Sequence, residues 1–488
     1  MHQPFVQDDW KILHYLFFSD SLTVLKDFWF PDDLFYRPLS MTYHVLMYKL
    51  AGLNPVIPHI FLLVWICVCG ILISLLARRF KFESWTALLV GTLWIGSSFL
   101  MHDVVLWAVG INESLYLAFL MGSLLLLMRD RPMWASLFFL LSLLSKEAAI
   151  GLPLALAGYT FLQLRWKGPA RTLAFRRLCV KFYPLYITSF GYTLFRIIAR
   201  MKFPPYVHPS YEIRLGAEDQ VRIWTVYPLW IIKNLIPWNQ SSSFYQRIEE
   251  LTGRTPFLSL CLILLLCAVI LVHLIRSDRS CAEAPGTLFH SPRLFLFCWF
   301  GASFFPFILI PNHPYRYYLL HPLIPLLLLS GIVLKDLGLL KNDPKRTAAL
   351  LSLFTLQFFA GNYLYNQQML TTPFGKKDRY GTNDLVYKSH YGNILARDFP
   401  RILPALEANT IVVIQAPSYS LYSMMFHMAP EIWYNKRPLF IFHPSMVRIE
   451  EGMVHGMYED QPVQAPVDET IFLTLDSEKL TFTQNTPF

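Results

Sequence analysis

The chain has 488 residues, 54% of them hydrophobic and only 15% charged. An ordinary soluble domain carries roughly 25% charged residues, so water is excluded as its main solvent. The net charge of +9 matches a nucleic-acid footprint in size but not in placement, because Lys and Arg fall in short loops between apolar runs, and no nucleic-acid partner is expected.

In chain order, the first segment, residues 1–55, opens polar and lacks the basic stretch and apolar core of a cleavable signal, so insertion is expected to use internal spans. A helix crosses the hydrocarbon core with about 20 apolar residues. Clear candidates run over 56–76, 85–100, 111–128, 257–275, 294–310, 319–334 and 347–363. The run 133–164 is long enough for two short helices meeting near Ser145, and 182–199 carries Arg196 near its end. Residues 223–236 are too short to cross and read as an amphipathic helix in the interface. After about residue 363 the chain turns polar, with β-branched runs at 410–414 and 470–475 between Pro and Gly breaks.

The fold class expected is mainly α. It is a polytopic transmembrane bundle of about ten spans over 56–364, preceded by an outer segment over 1–55 and followed by a small mixed α/β extramembrane domain over 365–488. Basic loops after the first and third runs, and at 165–181, 276–279 and 335–346, alternate with the spans when the first residues face out.

With that orientation the polar clusters share the outward face. Asp8 and Asp9 precede Trp10; adjacent carboxylates near a membrane surface suit a general base, and a solvated acidic turn is the competing reading. Arg37, in Phe35-Tyr36-Arg37-Pro38, suits a phosphate or a carboxylate, against simple interfacial snorkelling. His59 opens the first strong span. His102 and Asp103 follow the second run, and Asn112 and Glu113 stand at the mouth of the third, where an acidic group needs a partner or water. Ser145-Lys146-Glu147 interrupts an apolar run, either as the polar turn of a helical hairpin or as a mutually compensating pair in an aqueous cavity. Arg316-Tyr317-Tyr318 sets a guanidinium among aromatics, suited to a phosphate head group or to an interface belt. The seven cysteines show no zinc-ligand or redox spacing, so no metal site is read; a divalent metal is not indicated, and no other cofactor is expected.

Taken in order, Asp8-Asp9-Trp10, Tyr36-Arg37-Pro38-Leu39, Gly52-Leu53-Asn54-Pro55 with His59, Leu144-Ser145-Lys146-Glu147 and Arg316-Tyr317-Tyr318 resemble the GT-C superfamily of integral membrane glycosyltransferases, in its protein O-mannosyltransferase-like and RgtA/B/C/D-like branch. The resemblance implies an inverting transfer of a sugar from a polyprenyl-phosphate donor to a lipid, glycan or protein acceptor outside the cytoplasm. That places the chain in the plasma (inner) membrane of a bacterium or the endoplasmic reticulum of a eukaryote. It assigns the acceptor's proton to Asp8 or Asp9, with Asp103 as a second acidic contributor. It gives the donor phosphate to Arg37, Lys146 and Arg316, with His59, His102, Glu113, Glu147 and Tyr317 in support. Asp8 or Asp9, Lys146 and Arg316 are then expected to line one outward-facing cavity. Members of the superfamily carry a span before the first-segment carboxylates, where this sequence has seven residues, so a chain lacking that first helix is expected. A transporter or flippase of lipid-linked sugars, or a noncatalytic membrane scaffold, are the alternatives from other classes.

Overall fold

The structure, a computed structural model, describes residues 8–30, 35–166, 171–203, 212–235, 291–310, 315–336, 397–415, 428–458, 461–476 and 481–485, with single positions between 345 and 395. The expected run 257–275 and all of 364–394 lie outside these residues, and 347–363 is described only at single or paired positions.

Three helices build the first segment: α1 (Asp8–Phe18), α2 (Ser21–Trp29) and α3 (Pro38–Ala51). Asp20 starts α2 by accepting from the backbone N–H of Leu22 and Thr23 at 2.9 and 3.2 Å, satisfying two amides that a first turn leaves unpaired. Pro38 opens α3, where its missing N–H costs nothing, and Gly52 closes it at φ +57°.

The bundle follows with α4 (Val56–Arg79), α5 (Ser84–Ile95), α6 (Ser98–Leu106), α7 (Ile111–Leu127), α8 (Pro132–Ser145), α9 (Gly151–Trp166), α10 (Arg171–Lys202), α11 (Ala217–Leu235), α12 (Pro292–Ser303), α13 (Phe305–Ile308) and α14 (Leu320–Asp336). Among the described residues, three segments are long and apolar enough to cross a membrane by length and composition: Val56–Arg79, Ala108–Leu127 and Arg316–Lys335. Shorter apolar helices at Ser84–Ile95, Pro132–Ser145, Glu147–Leu162 and Pro292–Ile308 pack among them.

Nearly every side chain of α7 is buried, which makes it the axis of the bundle, with α4 and α8 on its flanks. Ser123 donates to Ala135 O and Ser142 to Tyr116 O, each at 2.7 Å, so the serines of α7 and α8 stitch the two helices without exposing a hydroxyl. Helices α4 and α5 approach through glycines. A Cβ on Gly91 would lie 2.3 Å from the Gly70 carbonyl oxygen and 2.2 Å from the Ser74 hydroxyl. Further on, α9 packs on α12 and α12 on α14, while α10 lies along α8 and α9.

The structure departs from the expected elements where local chemistry interrupts an apolar run. Residues 85–100 do not form one helix: α5 stops at Gly96 and α6 restarts at Ser98, which carries Asp103 onto a helix instead of an outer loop. Residues 294–310 divide into α12 and α13 around Phe304, with Pro306 opening the second piece. The basic stretch after 165 is largely helix, because α10 begins at Arg171 and runs 32 residues. The expected interfacial helix begins earlier, at Ala217, and buries Ile223, Tyr227 and Trp230 in the bundle core.

The C-terminal part is mixed α/β. Strands β1 (Ile411–Gln415), β2 (Phe440–Phe442), β6 (Ile471–Asp476) and β7 (Thr481–Asn485) form one sheet in the order β2-β1-β6-β7. There β1 runs parallel to β2 and β6, and β7 runs antiparallel to β6. Strands β3 (Val447–Glu450), β4 (Met453–Tyr458) and β5 (Gln461–Pro466) form an antiparallel three-stranded sheet. Strand alternation sends Ile411 and Val413 toward Phe442 and Val454, and Val412 and Ile414 toward α1 and helix α15 (Met428–Tyr434). Trp10 meets Trp433 edge-on at 5.6 Å, and His14 Nε2 lies 2.6 Å from a Glu431 carboxylate oxygen. The sheet part is thereby docked on the first segment.

Candidate functional site

The helix pair α8–α9 is broken at Lys146, whose backbone is extended (φ −161°, ψ 134°), before a 3-10 turn at Glu147–Ile150. The break points adjacent charged side chains in different directions. Ser40 on α3 donates to the freed Ser145 carbonyl at 3.0 Å and pins it from outside.

Three ion pairs converge around this break. Arg37, at the start of α3, reaches Glu147 with both edges of its fork: Nε to Oε2 at 2.9 Å and Nη2 to Oε1 at 2.6 Å. Lys146 Nζ pairs with the Glu113 carboxylate in the first turn of α7, both buried. Arg316, whose side chain is fully buried, holds Asp103 of α6 through Nε at 3.2 Å and Nη2 at 2.7 Å.

Arg316 opens the turn Arg316–Leu319, so its pairing fixes Tyr317 and Tyr318, and these rings stand 5.2 and 4.9 Å from Lys146 Nζ. Tyr116 and Phe307 complete the enclosure, with Phe307 stacked on Tyr318 at 4.3 Å. An ammonium faced by aromatic rings is attracted by their quadrupoles, which helps offset the cost of its burial. Burial alone would raise the Glu147 carboxyl; the charge and hydrogen bonds of Arg37, with Lys146 beside it, outweigh that and hold it at about 2.

A cavity of about 760 Å³ opens against this knot. Lys146, Glu147 and Tyr318 form its inner end. Its walls are apolar, among them Phe35, Ile197, Ile213 and Phe305, and Arg196, Arg200 and Glu212 add charge. Arg196 and Arg200 sit one turn apart on α10, so both reach one volume, and the Arg196 guanidinium lies over the Tyr36 ring at 5.1 Å. Along the rest of α10, Ile187, Phe190, Ile198 and Met201 are exposed, the surface of a helix that faces lipid.

The structure therefore brings together Arg37, Glu113, Lys146, Glu147 and Tyr317, with Asp103 and Arg316 directly behind. Of the residues expected in one cavity, Lys146 lines it; Asp8, Asp9 and Arg316 are absent from its described lining, because Arg316 is turned inward onto Asp103. Asp9 is buried beside the loop before α7, accepting from Val109 N at 2.9 Å and Ala108 N at 3.4 Å, while Asp8 in the same first turn is half-buried. His59 donates from Nδ1 to the Pro55 carbonyl at 2.7 Å, away from the cavity. The His102 side chain lies outside the described residues, as do His313 and Pro314.

Sequence reasoning passed over Arg200 and Glu212 and noted Arg196 only as a blemish in an apolar run. The signal was there: two arginines four residues apart at the end of a hydrophobic helix share a face, and such charges rarely face lipid. Among the described residues, no three His, Cys, Asp or Glu side chains come together as a metal-holding group.

No known family profile matches the chain, and no curated protein matches it. Among solved structures, the chain is similar to ArnT from Cupriavidus metallidurans in the apo state, at 14% identity over 90% of this chain and 82% of that one, with a TM-score of 0.49.

Proposed function

We propose that the chain is a membrane glycosyltransferase that moves a sugar from a polyprenyl-phosphate donor to an acceptor on the outer face of its membrane, with the cavity at Lys146 as the donor site. The observation that carries this is the pairing of chemistries in one cavity: apolar walls beside a helix with exposed apolar side chains, and the buried cation Lys146 in its lining. A prenyl chain needs the first and a phosphate leaving group the second. The ordered motifs from Asp8-Asp9 to Arg316-Tyr317-Tyr318 support the same reading as a resemblance to the GT-C superfamily.

In the proposed reaction the acceptor hydroxyl attacks the anomeric carbon. Its proton passes to a first-segment carboxylate, and the bond to phosphate breaks on the opposite face of the sugar. Asp8 or Asp9 is proposed as that base, as the resemblance implies. Lys146 faces the departing phosphate, while Arg37 and Arg316 hold the turns that present it. The test is transfer of labelled sugar from polyprenyl-phosphate donors by the purified chain. Asp8→Asn and Asp9→Asn together are expected to lower the rate by roughly 10²-fold or more; full retention of transfer removes both carboxylates from the mechanism.

A transporter reading predicts polar groups strung across the bilayer midplane. The three ion pairs instead gather at one break, which favours a fixed site over a pathway.

A further inference from the structure

Lys146 and Glu113 form a buried ion pair of which one member reaches the cavity. Lys146 lines it, whereas Glu113, in the first turn of α7, is absent from its described lining. One oxygen of Glu113 is engaged: Oε1 accepts from Lys146 Nζ, while Oε2 is buried without a hydrogen-bond partner among the described residues. The other charges acting on Glu113 are Arg37, at the start of α3, and Glu147 at the helix break, and Arg37 already gives both edges of its fork to Glu147. These four charges balance to zero. The neighbouring elements bring titratable groups that are neutral or already paired. Tyr116, Tyr317 and Tyr318 face the ammonium, and Cys69 of α4 donates to the Ser114 carbonyl. His321 of α14 meets Tyr116 edge-on and accepts from Trp299, and Arg316 holds Asp103 behind the turn. Arg196 and Arg200 of α10 line the same cavity.

A phosphate drawn to Lys146 sets a second anion on one buried ammonium. Two anions sharing one desolvated cation do not both stay charged, and a phosphodiester is the stronger acid, so the carboxylate is the group that is neutralised. We propose that donor binding is an exchange at Lys146: the phosphate draws the ammonium off Glu113, and Glu113 takes up about one proton from solvent in its place. This exchange rests on reading the cavity as the donor site, and it makes Glu113 a positioning residue that acts through Lys146. Charge balances, since one anion and one proton enter together. With Glu113 neutral, no carboxylate competes for the ammonium as the bond to the anomeric carbon breaks and its electron pair stays on the phosphate oxygen. When the spent lipid leaves, Lys146 returns to Glu113 and the proton is released.

The probe is the methyl diester of farnesyl phosphate, which lacks the second ionisation of a monoester, so a proton taken up on binding belongs to the protein. Binding to the purified full chain in detergent is measured by calorimetry in buffers of different ionisation heat. Uptake of about one proton per ligand is expected at about pH 7, with affinity falling by up to about tenfold per unit of rising pH. Difference infrared spectra are expected to gain a protonated carboxyl band on binding, which separates Glu113 from uptake by the His321 ring. Glu113→Gln is expected to lose that band. Glu113→Asp, which serves if the Gln chain does not fold, is expected to keep it at a shifted position. Binding without proton uptake, uptake without the carboxyl band, or a band unchanged in either variant overturns the exchange and leaves the donor site standing. Failure of the diester to bind the unaltered chain overturns the donor site and the exchange with it.

Discussion

Lys146 and Glu147 are neighbours in sequence that the extended backbone at the helix break sends to different partners, Glu113 and Arg37. Each charge near the cavity's inner end is held by a group 33, 110 or 213 residues away along the chain. The presence of these charges on one face was legible from loop basicity and run boundaries, and every one of the six was singled out before folding. Their partners were not, because pairing depends on helix packing that a linear pattern does not carry. Asp103→Ala is expected to destabilise the chain by about 3–5 kcal/mol, since it takes the doubly hydrogen-bonded carboxylate away from the buried Arg316 guanidinium. Thermal unfolding in detergent reads this loss, and Asp103→Leu with Arg316→Met is expected to recover much of it. For Glu147, the folded carboxyl is held near 2, below its unfolded value of about 4.3. Its pairing with Arg37 therefore stabilises the fold above that unfolded value, and the contribution is lost as pH falls toward 2. Glu147→Gln is expected to lower the Tm at about pH 6 and to match the unaltered chain only below about pH 2; the Glu147 side chain is 41% exposed, so the difference is modest.

At the scale of elements, the hydrophobic runs that fall within the described residues gave helices in or near the expected places, because a continuous apolar stretch has to satisfy its backbone internally in lipid. What hydropathy could not show is where a run stops being one helix. Gly96, Phe304 and Pro306 interrupt apolar stretches without lowering their hydrophobicity, and one such break sets Asp103 opposite Arg316. The α4–α5 contact was equally hidden, since a glycine in a span reads as apolar whether or not a backbone passes beside it. Gly91→Val is expected to force α4 and α5 apart and to cost about 1–3 kcal/mol, read as a lower Tm in detergent. The neighbouring exposed Leu88, replaced by Val, is the control and is expected to change little.

On the scale of the whole molecule, the four-stranded C-terminal sheet and α15 pack on the first segment, and the same α1 helix carries Asp8, Asp9 and the Trp10–Trp433 contact. The mixed α/β character was readable from β-branched runs, whereas docking on α1 was not, because Trp10 and His14 look like ordinary interfacial residues in sequence. The central claim is that the cavity at Lys146 is where a polyprenyl-phosphate sugar gives up its sugar. It is tested most directly by sugar transfer from a polyprenyl-phosphate donor in proteoliposomes, comparing the unaltered chain with Lys146→Met. Transfer by the unaltered chain, lowered roughly 10²–10³-fold by Lys146→Met, is the expected result; undiminished transfer by Lys146→Met, or none by the unaltered chain from any such donor, contradicts it.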